Sequence, residues 1–559
     1  MRVCVIGGGV SGLPAIKECL TQGFEVVAYE RTSDIGGLWN YRPEMNEGGT
    51  VMKSTVVNTS KEMMAYSDFP PPAHYPNFAH HSLIMEYLRE YAKKFDLCQY
   101  IKFNTNVDEV ILRFLKLSGM TSAVEFFDFA ILCTGHHSFP SYPTIEGNEK
   151  FKGRTLHAHQ YRDSSGFEDK NVVIVGMGNS SLDIAAELAR VAKSARAWIF
   201  NRVFQAGMPY DAKLMTRFYY KLMDILPWTI VNDFMEYRLQ QRIDHDLYGL
   251  RPNHRFFQQH PTLSDELPNL LCSGRIVITE DVDCFNETSV AVKGGKHFSA
   301  DIVIYATGYT FKFPFLKPQS AIPIKEHEAD LYKYVFPLDY PTLAVVGLVQ
   351  PIGSIAPISE MQARWIAAVF RGQVKLPSKV EMHADIEQKR AELRRRYYKS
   401  PKHTIQVDYI KYMDEIADLV GCKPQLKKYF LTDPKFFLQL FVGANAPYVY
   451  RLDGPGAWDE AKLTITELPN RIKLPLKNRE CKVRRHKRRG KIDEYFRYGS
   501  MKWLSGWTCL ILTTGLWTFC SGPAGLSILS YSLYVLTFLI LFSFMLLWFD
   551  FQYDMATIF

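Results

Sequence analysis

Residues Arg2 to Gly12 read RVCVIGGGVSG, and residues Phe24 to Glu30 read FEVVAYE. The first apolar run is rich in β-branched residues and breaks at three glycines, and a second such run ends on an acid. This order predicts a strand, a glycine turn, a helix and a second strand. In that unit Gly7 permits the tight turn, and Gly9 lets the backbone approach a pyrophosphate. Gly12 lets the helix sit close to the sheet with its N-terminus toward the phosphates, so the whole turn Gly7, Gly8, Gly9, Val10, Ser11 and Gly12 reads as cofactor-binding. Glu30 then accepts hydrogen bonds from a ribose diol. A carboxylate there repels a 2′-phosphate, so the site suits FAD or NAD rather than NADP.

Outward from this unit, Ile35-Gly36-Gly37-Leu38-Trp39 removes side chains where a ligand would lie. A glycine pair just after the ribose acid resembles the arrangement in two-dinucleotide flavoproteins and favours FAD. Lys53 to Pro72, KSTVVNTSKEMMAYSDFPPP, predicts loops or short helices lying over something. Within it Asn58 offers an amide that both donates and accepts, suited to a flavin edge or a nicotinamide carboxamide. Ser82 to Phe95 has helical spacing, and Ile101 to Ile111 reads as a strand.

The 559 residues are 47% hydrophobic and 22% charged, a globular composition with core enough for two or more domains. The formal charge of +8 is modest, gathers toward the C-terminus and does not argue for nucleic acid. Ten cysteines are scattered without a CxxC, so no disulfide framework and no metal site is expected. Too few residues precede Gly7 for a signal peptide, and they are needed as a strand.

A second strand, glycine turn and helix is expected at NVVIVGMGNSSLD, Asn171 to Asp183. Gly176 and Gly178 fill the first two glycine positions and Ser181 stands at the third. The next apolar run, Ala197 to Phe200, ends in Asn201-Arg202. Arg202 thus takes the place that Glu30 has in the first motif, as a 2′-phosphate would require, which assigns FAD to the first site and NADPH to the second. FFDFAILCTG, ending at Gly135, and DIVIYATGY, Asp301 to Tyr309, read as paired crossings between a nucleotide domain and one inserted in it. Gly207 to Pro268 reads as a helical excursion, Leu343 to Leu348 as a strand, Ser359 to Phe370 as an amphipathic helix, and Ala384 to Tyr398 as a charged, solvated one.

Near the end, KVRRHKRRGK at Lys482 to Lys491 precedes two apolar stretches, Trp503 to Cys520 and Leu526 to Phe549. Each approaches or exceeds the ~20 residues that span a bilayer. The expectation is a membrane anchor, one pass or a hairpin at Gly522-Pro523, with the basic run cytosolic on anionic lipid heads.

FKGRTLHAHQY, Phe151 to Tyr161, resembles FxGxxxHxxx(Y/F), the identifying sequence of flavin-containing monooxygenases. The resemblance continues through Asn58-Thr59-Ser60-Lys61-Glu62-Met63, through ATGYTFKFPFL at Ala306 to Leu316, and through Gly454-Pro455-Gly456-Ala457-Trp458, covering the chain to about Pro475. It implies a microsomal, xenobiotic-metabolising enzyme of the endoplasmic reticulum membrane, with its body cytosolic. FAD would be tightly held, NADPH would reduce it, and dioxygen would add at C4a to give a hydroperoxyflavin that oxygenates nitrogen or sulfur in small lipophilic compounds. Carried over by residue, Gly7 to Gly12, Glu30, Leu38 and Trp39 contact FAD. Val57, Asn58 and Thr59 form the segment beside flavin and nicotinamide, with Asn58 catalytic. Ser180, Ser181, Leu182 and Asp183 form the NADP-binding turn together with Gly176 and Gly178, and Arg202 faces the phosphate.

The expected class is therefore α/β, with two Rossmann-like domains and the NADPH domain inserted in the FAD domain. Residues 1–160 begin the FAD domain, 161–300 form the NADPH domain with its excursion near 207–270, and 301–475 complete the FAD domain. A basic linker follows at 476–502 and the anchor at 503–549. Three departures from the family stand out: a shortened stretch between Val107 and Asp128, Ser181 in place of glycine, and two apolar stretches in the tail. Baeyer-Villiger oxygenation of ketones and NADPH oxidase activity are neighbouring alternatives, and an FMO-like protein without turnover is the non-enzyme one. A flavin disulfide reductase, a different class with the same two-dinucleotide plan, is disfavoured because no cysteine pair follows Gly37. The oligomeric state stays open.

Overall fold

The structure is a computed structural model that describes residues 1–477 apart from 45–47, 113–123, 189–196, 205–206, 326, 399 and 401–402. The shortened 107–128 stretch therefore lies partly, and the basic run and both apolar stretches of the tail wholly, outside the described residues. Residues Met1–Leu476 form one compact unit.

Its first layer is a five-stranded parallel sheet in the order Leu343–Val345, Phe129–Leu132, Arg2–Ile6, Glu25–Tyr29, Ile101–Lys102. The strands are short and rich in Val, Ile and Ala because both faces are covered. The helix Gly12–Thr21 packs beside the helix Ile355–Phe370. From the latter Phe370 stacks on Phe129, with ring centroids 4.2 Å apart. The expected strand Ile101 to Ile111 is two short pieces, Ile101–Lys102 in this sheet and Val110–Ile111 paired with Leu316–Lys317.

A second parallel sheet has the order Arg154–His157, Ile302–Tyr305, Val172–Val175. All three strands fall in sequence between Phe129–Leu132 and Leu343–Val345, so this sheet is inserted in the first. The two chain crossings meet directly. Phe139–Pro140 pairs with Tyr309–Thr310, the Ser141 amide donates to the Gly308 carbonyl at 2.9 Å, and Thr307 Oγ1 donates back to the Ser141 carbonyl. Three helices, Tyr210–Leu214, Arg217–Ile225 and Trp228–Gln240, occupy the excursion.

The helix Ile355–Phe370 departs from the amphipathic expectation: its polar stripe is buried with the rest, Glu360 at 1%, Gln362 at 0% and Arg364 at 5% exposure. These side chains face the C-terminal segment instead of water, and each is partnered. Gln362 accepts from the Gly347 amide at 2.9 Å and donates to Tyr412 Oη at 2.7 Å, while Arg364 donates to the Tyr450 and Pro455 carbonyls. Arg451 enters beside it and meets three carboxylates, Glu360 at 2.6 Å and Glu18 and Asp68 each at 3.1 Å. Lys17 closes the cluster against Glu18 and Asp68. Burial works to raise the Glu18 carboxyl, but Lys17, Arg451 and Arg364 outweigh it and hold it at about 2. Among the described residues no helix is long and apolar enough to cross a membrane.

Candidate functional site: two glycine cradles and the Asn58 loop

At the first cradle Gly7 has φ +108°, and a Cβ there would lie 2.5 Å from the Cys133 carbonyl oxygen. A Cβ on Gly12 would lie 1.8 Å from the Gly7 carbonyl oxygen. Gly9 and Gly37 face each other so closely that a Cβ on either would sit 3.5 or 3.1 Å from the other's Cα. Two backbone loops thus come together with no side chain between them, which is what a long phosphate-bearing ligand needs. Glu30, 6% exposed, accepts from the Gly8 amide at 2.8 Å and from the Thr32 amide and hydroxyl at 2.9 and 2.7 Å. Its oxygens keep further lone pairs for a diol. The Val10 carbonyl accepts from Tyr66 Oη at 2.7 Å, and Ser11 Oγ bonds Ser359 Oγ at 2.9 Å. Leu38 and Trp39 lie half-buried in a single turn, Gly37–Trp39, that follows the glycine pair.

At the second cradle Gly176 has φ +122°, and its Cβ would meet the Ala306 carbonyl oxygen at 2.4 Å. Gly178 faces open space, with nothing within 4 Å of a built Cβ. Ser181 is 2% exposed and turns its hydroxyl back onto the Gly178 carbonyl at 2.8 Å, so a side chain is accommodated where the first motif needs glycine. Ser180 is exposed on the first turn of the helix Asn179–Leu188, Leu182 is in the core, and Asp183 is partly buried. Burial pushes the Asp183 carboxyl up to about 6 against the opposing pull of Arg202.

Arg202 departs from the sequence expectation. Ile199–Phe200 does not extend the sheet beside Val172–Val175 among the described residues; it pairs in parallel with Thr262–Leu263. The excursion takes its hydrogen-bonding groups: the Ile199 amide donates to His245 Nε2 at 3.1 Å, and the Trp198 and Phe200 carbonyls accept from the Thr262 and Ser264 amides. Arg202 stands two residues after Ile199–Phe200, a strand whose sheet is separate from that of Val172–Val175. Its side chain is 12% exposed and its Nε and Nη2 both donate to Asn58 Oδ1, at 3.1 and 2.7 Å. Nη1 reaches Asp265 Oδ2 at 3.1 Å, and Asp183 lies 3.8 Å from Nη2.

The Asn58 loop is fixed from two sides. The Val57 amide donates to the Ala79 carbonyl at 3.0 Å and the Lys61 amide to the Asn77 carbonyl at 2.7 Å. The Ser60 amide donates to Asp211 Oδ2 at 2.6 Å. Asp211 is fully buried and burial pushes its carboxyl up to about 6, with the Ser60 amide pulling it down. Val57 and Thr59 are buried and Asn58 half-buried. The structure thus joins Asn58, Asp183 and Arg202 in one cluster and the residues of Gly7 to Gly12, Glu30 and the glycine pair in another. Sequence reasoning missed Asp211, Asp265 and Arg451, none of which stands in a motif. His157 of the FxGxxxHxxx(Y/F) stretch is buried between Tyr142 and Tyr309, and burial brings its imidazole down to about 4.

The family described as flavin-binding monooxygenase-like matches residues 1–496. Flavin-containing monooxygenase 5 of Cavia porcellus is 45% identical over 501 residues, covering 86% of this chain and 94% of that protein. N-oxide-forming dimethylaniline monooxygenase 2 of Macaca mulatta is 40% identical over 510 residues, with 86% and 94% covered. In fold the chain resembles S-allyl-L-cysteine S-oxygenase of Allium sativum, with TM-score 0.58, 23% identity and 84% and 98% of the two chains covered. It also resembles NADP⁺-bound cyclohexanone monooxygenase of Rhodococcus sp. Phi1, with TM-score 0.56, 14% identity and 75% and 97% covered. Two parallel sheets with glycine cradles, one inserted in the other, matched over this length, define the class: the chain belongs to the flavin-binding monooxygenase-like family. It is accordingly an oxidoreductase, a flavin-dependent monooxygenase.

Proposed function

We propose that this enzyme inserts one atom of dioxygen into a nitrogen or sulfur of small lipophilic nucleophiles. The other oxygen atom leaves as water, and NADPH supplies the two electrons. The reading rests on the paired cradles: the first, closed by Glu30, fits a nucleotide without a 2′-phosphate, and the second opens at Gly178 toward a nucleotide of its own. A relative at 40% identity that carries N-oxide formation in its name supports nitrogen as one target.

In this reading the amides of Gly7 to Gly12 and the helix Gly12–Thr21 hold the FAD pyrophosphate, Glu30 orients the ribose, and Leu38 and Trp39 flank it. Gly176, Gly178, Ser180, Ser181, Leu182 and Asp183 hold NADPH. Val57, Asn58 and Thr59 border the flavin and nicotinamide, where Asn58 offers its amide protons. When bound, the flavin carries the oxygen-transfer chemistry, and the protein supplies position and a dry cleft. Purified enzyme given NADPH, ¹⁸O-labelled dioxygen and N,N-dimethylaniline or a dialkyl thioether is expected to place one labelled atom in the N-oxide or sulfoxide. Hydrogen peroxide as the only oxygen product would overturn the reading. A lactone or ester from a ketone, without heteroatom oxides, would favour the Baeyer-Villiger course.

The two apolar stretches at 503–549 anchor the chain in the endoplasmic reticulum membrane in this proposal, with the basic run and the catalytic body cytosolic. The expected result is retention in the membrane pellet after alkaline carbonate, and release on truncation before Trp503. Carbonate extraction of the full chain would refute the anchor.

A further inference from the structure

Arg202 is bonded in a way that leaves little of it for a phosphate. Three of its N–H groups are engaged, two with Asn58 Oδ1 and one with Asp265 Oδ2. Asp265 Oδ1 also takes the Arg202 amide at 3.2 Å and the Asn201 side-chain amide at 2.8 Å, so the carboxylate grips both the guanidinium and the backbone that carries it. With Asp183 3.8 Å away, the positive charge faces two carboxylates.

The chemistry of the pair also settles which way the Asn58 amide faces. A guanidinium has donors only, so the atom it grips is the carboxamide oxygen. Asn58 Nδ2 donates to no protein acceptor among the described residues, which leaves both its protons for a ligand.

We infer that Arg202, held by Asp265, is a positioning residue for Asn58: it fixes the carboxamide with the oxygen inward and the amino group available, and it does not read a 2′-phosphate. The inference rests on the proposed role of Asn58 beside flavin and nicotinamide. It assigns to Asp265 a function that no motif indicates. It also predicts that the variants Arg202→Lys, Asp265→Asn and Asn58→Ala fail in the same way, because each frees or removes the same amide. Lysine keeps the charge but cannot present two parallel N–H groups to one oxygen while a third reaches Asp265.

The test uses flavin-loaded full-length protein, with bound flavin as the check on folding. Three quantities are compared across Asn58→Ala, Arg202→Lys, Asp265→Asn and the double variant Asn58→Ala/Arg202→Lys. They are the share of NADPH consumption released as hydrogen peroxide in the presence of substrate, the ratio of kcat/KM for NADPH over NADH, and the ratio of Kd for NADP⁺ over NAD⁺ from flavin difference spectra. The expected result is that peroxide release rises by about tenfold or more in each single variant, since a misplacement of about 1 Å in a positioned group can cost on the order of 100-fold. The double variant is expected to be no worse than Asn58→Ala. Both cofactor ratios are expected to stay within about twofold of the parent. Collapse of the NADPH preference and of the NADP⁺ affinity in Arg202→Lys, with coupling intact, would overturn the inference and return Arg202 to the phosphate. Should Arg202→Lys fail to retain flavin, Asp265→Asn decides by the same three readouts. If Asn58→Ala alone leaves coupling unchanged, the role of Asn58 fails first and the positioning role falls with it.

Discussion

Gly12→Ala is expected to yield protein without bound flavin. The added Cβ would sit 1.8 Å from the Gly7 carbonyl oxygen and 2.9 Å from its carbon, both backbone atoms that cannot rotate away. The helix Gly12–Thr21 would have to move off the turn, and its N-terminal amides would leave the place where the pyrophosphate binds. Gly178→Ala is the matched comparison, because its Cβ meets nothing within 4 Å in the protein itself. That variant is expected to fold and stay yellow, with a higher KM for NADPH if the second nucleotide occupies the open space. The ratio of flavin to protein absorbance reads both. Full flavin content in Gly12→Ala would show that the cradle does not set the binding geometry.

Arg451→Met is expected to cost about 3–5 kcal/mol, the range found when one partner of a buried ionic cluster is removed. Glu18, Asp68 and Glu360 would keep their charges with Lys17 in contact and the Arg364 guanidinium nearby to answer them. The pH dependence follows from Glu18, whose carboxyl is held at about 2 and so below its ordinary range. A group depressed in this way stabilises the fold above its ordinary pKa, and that contribution is lost as pH falls toward 2. The difference between parent and variant in urea midpoint should be largest near neutrality and narrow on acidification, as the stranded carboxylates take up protons. Arg251→Met, which breaks an exposed pair with Asp246, is expected to change the unfolding free energy by less than about 1 kcal/mol. Equal effects from the two substitutions would mean that the buried cluster is a bystander.

The glycine motifs and Glu30 were legible because their signal is local: strand, turn and helix follow one another within thirty residues, and each position has a steric reason. The sheet that carries Arg202 was not legible, because that run's strand partners lie far along the chain. The backbone of Ile199–Phe200 could in principle join either of two strands. His245, Thr262 and Ser264 decide the matter, and no periodicity in four residues reports them. The helix Ile355–Phe370 misled for a related reason. Alternating polar residues on a helix predict water, yet here they meet Arg451 and the carbonyls of Tyr450 and Pro455. Arg451 pairs with Glu18 across 433 positions, and Asp211 with the Ser60 amide across 151. Such partnerships are written in the three-dimensional packing alone.

The inserted sheet is reached and left by two backbones that are hydrogen-bonded to each other, Phe139–Pro140 against Tyr309–Thr310. Such a double seam ties the entering and leaving chain together along one line, as pins tie a door to its post. The Asn58 to Arg202 contact joins the frame to the door, because Asn58 precedes the three strands of the inserted sheet in sequence and Arg202 falls between them. In mechanical terms it is a catch: the two hydrogen bonds that orient one amide also tie the loop that carries it to the segment that follows Ile199–Phe200.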